Sequence, residues 1–155
     1  MSPDILLDGV SGLLDLDLGT PLILPYCENM VQAGDAISNV RDDHQSIDLV
    51  SLLGLTEECF IIRVNGLSMT EAGIDSGDTL IVRRTREAKE GDIVIAEVDG
   101  RTTVKTYHFN SSTGCVELHP HSSSFHPIIV HPGQTFCIIG VVMHCVKEMT
   151  SQRPT

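Results

Sequence analysis

The sequence predicts a mostly-β domain preceded by an extended arm, and three observations carry that expectation. Short runs rich in valine, isoleucine, threonine and aromatic residues recur from Phe60 onward. Turn formers separate them at Asn65-Gly66, Asp99-Gly100, Asn110 to Gly114 and Pro132-Gly133. Just ahead of them, one stretch, Ile47 to Leu55, has the leucine-rich composition of a short helix. Short strands punctuated by turns are the pattern of an all-β core.

The arm comes first. Met1 to Gly19 mixes leucines with aspartates and is interrupted by Gly9 and Gly12, which disfavours a long helix but permits a short amphipathic segment at Leu13 to Leu18. Thr20 to Met30 is apolar and broken by Pro21 and Pro25, which suits extended chain, and Asp35 to Ser46 is polar. The division expected is an arm over 1–46, a folded domain over 47–149 and a tail over 150–155. The domain opens with a short helix at 47–55, behind the polar Gln45-Ser46. Strands are then expected at Phe60 to Val64, Thr79 to Val82, Ile93 to Val98, Arg101 to Phe109, Cys115 to Pro120, Pro127 to Val130 and Phe136 to Lys147. The run Ile138 to Met143 is continuously apolar, so it is either the buried centre of a sheet or part of an interface.

The totals exclude several classes. Twenty-one acids stand against 10 Lys and Arg, a net charge of −11, which argues against a broad phosphate-binding surface. The one basic cluster, Arg83-Arg84-Thr85-Arg86, reads as a solvated strand end. The five cysteines (Cys27, Cys59, Cys115, Cys137 and Cys145) form no CxxC pair and no metal-ligand spacing, so reduced thiols, no metal and no cofactor are expected. No run is long and apolar enough for a membrane span, and the acidic N-terminus lacks a basic signal-peptide start. A cytoplasmic protein is the expectation.

The chemistry concentrates between Phe60 and Val82. Ser68 follows a strand and Gly66, where a tight bend can expose its hydroxyl and leave the N–H groups of Ser68 and Met69 free for an oxyanion. A Gly-x-Ser alone more often satisfies a turn than performs chemistry, so a base is required. None of the seven histidines (His44, His108, His119, His121, His126, His131 and His144) lies in a motif that points to Ser68. Lys105 lies in a β-rich run, on one strand face with Thr103 and Tyr107. An exposed lysine is neutral at pH 7 only about once in 2,500 molecules, but burial lowers its pKa and makes it a competent base. The ordinary fate of a strand lysine is to snorkel into solvent.

The blocks Gly66-Leu67-Ser68-Met69, Gly73-Ile74, Ser76-Gly77-Asp78, Gly91 to Ala96 and Thr103-Val104-Lys105, followed by Pro120, Ser122, Phe125, Pro127-Ile128 and Gly140-Val141-Val142, resemble the LexA/UmuD family of self-cleaving Ser-Lys proteases. The resemblance runs from about Ile47 to Lys147 and is nearest the UmuD branch; His121 departs from it, standing where the family often has asparagine. It implies a compact protease domain with Ser68 as nucleophile, Lys105 as general base and backbone N–H groups at Ser68 and Met69 as the oxyanion site. It also implies self-cleavage between Ala33 and Gly34, where a small residue precedes a glycine that can enter a crowded cleft. A homodimer, a RecA-type recombinase filament as co-activator and a UmuC-like translesion polymerase are the partners it implies, in an SOS response to DNA damage. No direct specific DNA binding is expected.

Two other functions compete with this one. The chain could be a non-catalytic module that docks on a polymerase or filament. It could also be a fragment of a LexA-type repressor, although the 33 residues before Gly34 are acidic and carry no recognition-helix pattern.

Overall fold

A computed structural model describes residues 10–15, 19, 21–27 and 44–149. The chain divides into two compact units, one running from 17 to 57 and the other formed by residues up to 16 together with those from 58 onward.

In the smaller unit, β2 (Ile23–Cys27) pairs antiparallel with β3 (His44–Asp48), with Leu24 opposite Ile47. Helix α1 (Leu49–Leu53) follows directly. The sequence expectation places this helix at 47–55 behind Gln45-Ser46, but those residues and Ile47 pair in β3, and Asp48 is the cap. Its carboxylate accepts from the Val50 and Ser51 N–H groups and from the Ser51 hydroxyl. Gly54, in the left-handed region at φ 65°, ends the helix after little more than one turn.

The larger unit is one antiparallel sheet in the order β1-β4-β5-β10-β6-β7-β8-β9. Its strands are β1 (Val10–Asp15), β4 (Cys59–Val64), β5 (Thr79–Arg84), β6 (Ile93–Val98), β7 (Arg101–Asn110), β8 (Cys115–His119), β9 (Ile128–Val130) and β10 (Phe136–Val146). The mostly-β expectation holds, and the strand from Ile93 to Val98 has the expected bounds. β10 lies inside the sheet, between β5 and β6, so its apolar run is at the sheet's centre. β1 departs from the expectation. The sequence reading assigns residues 10–15 to the arm, with a short amphipathic segment from Leu13, yet they pair with β4 from Val10 opposite Val64 to Asp15 opposite Phe60. The backbone groups along β4 need partners whatever the composition of the segment that supplies them.

Strand pleating distributes the core. On β6, Val94, Ala96 and Val98 join one apolar cluster with Leu118, Ile138 and Val141. Ile95, facing the other way, joins a second with Phe60, Ile62, Leu80, Val82 and Val104. Burial on both faces explains why β6 reads as a nearly unbroken hydrophobic run. Among the described residues Cys59, Cys115, Cys137 and Cys145 form no disulfide, and Cys59 is fully buried. The basic cluster ends β5 with Arg83 exposed as expected, while the Arg84 guanidinium lies 4.6 Å over the Phe60 ring.

The centre of the sheet depends on one glycine. At Gly140 the register of β10 against β6 shifts, and a Cβ there would lie 2.5 Å from Val82 Cγ1 and 2.6 Å from the Arg83 carbonyl oxygen. The backbone oxygen cannot rotate away as a side-chain tip could. Gly140→Ala is therefore expected to destabilise the domain by about 1–3 kcal/mol, the usual range for overpacking. Urea unfolding at neutral pH checks this, and an unchanged midpoint would show that β5 yields more readily than its position suggests.

Candidate active site

Ser68 sits on a turn held at both ends by apolar anchors. Gly66 adopts φ +141°, a conformation costly to other residues, and so permits the sharp departure from β4. Leu67 is then exposed and Ser68 half-buried, whereas Met69 and Ile74 are buried in the cluster that contains Phe60 and Leu80. Between Met69 and Ile74 a single 3-10 turn, Thr70–Ala72, ends at Gly73, which has φ 80°. The Met69 carbonyl accepts from the Ala72 and Ile74 N–H groups at 3.0 and 3.2 Å, and the Thr70 hydroxyl donates to the Leu67 carbonyl. The strand, tight bend and serine expected from the sequence are what the structure contains. Among the described residues, the N–H groups of Ser68 and Met69 donate to no other group, as an oxyanion site requires.

Lys105 lies on β7, opposite Val94 of β6, and is only 8% exposed. Its Nζ is 2.7 Å from Ser68 Oγ, 2.9 Å from Thr103 Oγ1 and 3.0 Å from the Val104 carbonyl oxygen. Nζ donates to all three when it carries its third proton, and once neutral it keeps two N–H groups for Thr103 and Val104 and a lone pair to take the Ser68 hydroxyl proton. Burial pushes the Lys105 amine below its ordinary pKa. No carboxylate among the described residues pairs with it to hold the proton on. The arrangement can therefore deprotonate an alcohol in place, which is the defining need of a serine nucleophile that lacks a histidine.

The structure thus brings together Ser68, Met69 and Lys105 from the residues singled out in the sequence. Ala33 and Gly34 lie outside the described residues. Two contributors escape the sequence reading. Strand alternation places Thr103 on the Lys105 face but gives its hydroxyl no task. His121 figures there only among the histidines with no motif pointing to Ser68 and as a departure from the family. In the structure its ring lies 2.8 Å from Thr106 Oγ1, and its backbone N–H donates to the Ser68 carbonyl at 2.8 Å. A backbone bond of that kind leaves no mark in the side-chain pattern.

The buried amine has a thermodynamic consequence. Because the folded-state pKa lies below the unfolded one, the unfolded chain binds more protons between the two values, and stability rises with pH across that window. Lys105→Met, which fills the same space without a charge to desolvate, is expected to raise the melting temperature at pH 7 and to flatten its rise toward alkaline pH. A melting temperature that falls, with the pH dependence intact, would mean that Lys105 is not the group under strain.

Comparison with known proteins identifies the family. A family model described as Peptidase S24-like matches residues 25–143, a span that includes both Ser68 and Lys105. The LexA repressor of Dechloromonas aromatica (strain RCB) is 35% identical over 136 residues, covering 87% of this chain and 64% of that protein. The LexA repressor of Verminephrobacter eiseniae (strain EF01-2) is 33% identical over 129 residues, covering 83% and 56%. That of Magnetococcus marinus is 42% identical over 85 residues, covering 55% and 36%. The chain therefore spans between about a third and two thirds of the length of these relatives. With the family model covering most of its length, the chain belongs to the Peptidase S24-like family, in which it is similar to the LexA repressors.

Proposed function

We propose that this chain is a UmuD-like self-processing serine peptidase that cuts its own arm between Ala33 and Gly34. The observation that carries the reading is the 2.7 Å contact between Ser68 Oγ and a buried Lys105 Nζ. Neutral Lys105 takes the Ser68 proton as Oγ attacks the Ala33 carbonyl carbon. The N–H groups of Ser68 and Met69 hold the oxyanion. As the tetrahedral intermediate collapses, Lys105 gives its proton to the leaving Gly34 nitrogen. Lys105 then deprotonates a water that attacks the acyl-enzyme, which frees Ser68 and leaves residues 34–155 as the processed form.

A tethered substrate makes the arm's effective concentration high, so cleavage does not need tight binding and the site can remain a poor protease toward other chains. The processed form would serve, as a homodimer in the cytoplasm, as a subunit of an error-prone UmuC-like translesion polymerase in the SOS response. A RecA-type filament would favour the cleavage-competent placement of the arm. The resemblance of the separated sequence blocks to UmuD supports this part. A second reading, the protease portion of a LexA-type repressor, is favoured by the similarity to LexA repressors and by the lengths over which those relatives extend beyond the match. Specific operator binding by the purified protein at physiological salt would favour it. A non-catalytic docking module is the third.

Self-cleavage separates the catalytic readings from the docking module. Intact mass of the purified protein, followed at mildly alkaline pH, should show fragments that match a cut between Ala33 and Gly34. Ser68→Ala and Lys105→Ala should each slow their appearance by at least about a thousandfold. The wild-type rate should climb with pH and level off below the ordinary lysine pKa, because burial lowers that of Lys105. Cleavage that survives Ser68→Ala would rule out the dyad. A wild-type chain that stays whole even with a recombinase filament and single-stranded DNA would leave the docking module.

A further inference from the structure

Ser68 and Lys105 are 37 residues apart, and their mutual contact is the proton-transfer bond itself. Something else must hold them in register, and the turn after β8 is placed to do so. The His121 N–H donates to the Ser68 carbonyl at 2.8 Å, and the His121 carbonyl accepts from the Glu71 N–H at 2.8 Å. The Glu71 carboxylate in turn accepts from the Ser123 N–H at 3.1 Å. These bonds clasp the Ser68 turn to the turn at 121–123. The His121 ring completes the link by meeting Thr106 Oγ1 at 2.8 Å, on the residue that follows Lys105 along β7.

We propose that His121 is a positioning residue, which ties the Ser68 turn to the Lys105 strand and fixes the direction of the oxyanion N–H. The second part follows from peptide geometry. In a trans peptide the C=O and N–H point in opposite directions. A bond that holds the Ser68 carbonyl toward His121 therefore aims the Met69 N–H away from it, and that N–H has no partner among the described residues. The first part follows from distance: reactivity falls steeply when a nucleophile and its base drift by about an ångström. His121 touches no reacting atom, so its effect runs through Ser68 and Thr106.

This inference rests on the proposed self-cleavage, and its test keeps the two apart. The full chain is followed for first-order self-cleavage and for labelling of Ser68 by a small fluorophosphonate. In that labelling Oγ bonds to phosphorus and fluoride leaves, so it needs the dyad and the oxyanion site but not the arm. His121→Ala should slow both by about five- to tenfold. His121→Gln, whose amide can reach Thr106, should recover most of the loss. Thr106→Val should reproduce the His121→Ala defect, and the double variant should be no slower than either. Melting temperatures recorded alongside expose any variant that merely fails to fold. Wild-type rates in both assays for His121→Ala, or additive losses in the double variant, would overturn the positioning role while leaving the dyad intact. A wild-type chain that neither cleaves nor labels at Ser68 would overturn the self-cleavage reading and this inference with it.

Discussion

The desolvation of one amine is the constraint around which this domain is arranged. A lysine in water is a poor base because it holds its proton too tightly. Lys105 is buried and, among the described residues, has no carboxylate beside it, so its charged form is penalised without compensation. Three oxygens, from Ser68, Thr103 and Val104, lie within hydrogen-bond distance of the amine. Burying a cation without a partner is normally avoided because it weakens the fold, and functional sites are where such costs persist.

The surroundings of that amine keep it dry and fixed. β6 pairs with β7 as far as Thr106 and β8 pairs with it from Thr106 onward, so Lys105 projects from backbone locked where two ladders meet. The opposing serine is on a turn, which is inherently less constrained. Met69 and Ile74 compensate by inserting into the core, and the turn at 121–123 clasps it from outside. The site therefore couples a rigid strand to a turn made rigid by its anchors, a division of labour common where reactive groups sit on loops.

A second lysine shows the contrast. Lys147 Nζ lies 2.7 Å from Asp75 Oδ2 and also bonds Asp78, and these carboxylates hold its proton firmly. Burial alone would push the Asp78 carboxyl up, but bonds from Lys147, from the Asp75 N–H and from Cys145 more than offset it, so it sits below its usual range. The same side chain is thus fixed as a cation at one place and biased toward the neutral amine at another. Proximity of carboxylates decides which. The ion-paired lysine also ties the turn at 75–78 to the residue that follows β10.

Local pattern was enough to specify most strands of the larger sheet, because β-branched runs and turn residues report backbone preference directly. The turn that carries Ser68 and the strand face that Thr103 and Lys105 share were also legible, the first from Gly66 and the second from alternation. The helix boundary was not, since Ile47 suits either a helix or a strand until β2 takes it as a partner. The strand at 10–15 was hidden because its glycine and its leucine-aspartate mixture carry little β preference, and it pairs through backbone that β4 offers. Tertiary structure alone decided that the Lys105 amine is dry, that it reaches Ser68 and that His121 grips the Ser68 carbonyl. Burial and backbone hydrogen bonds between distant segments are properties of the assembled sheet, and no single stretch of sequence contains them.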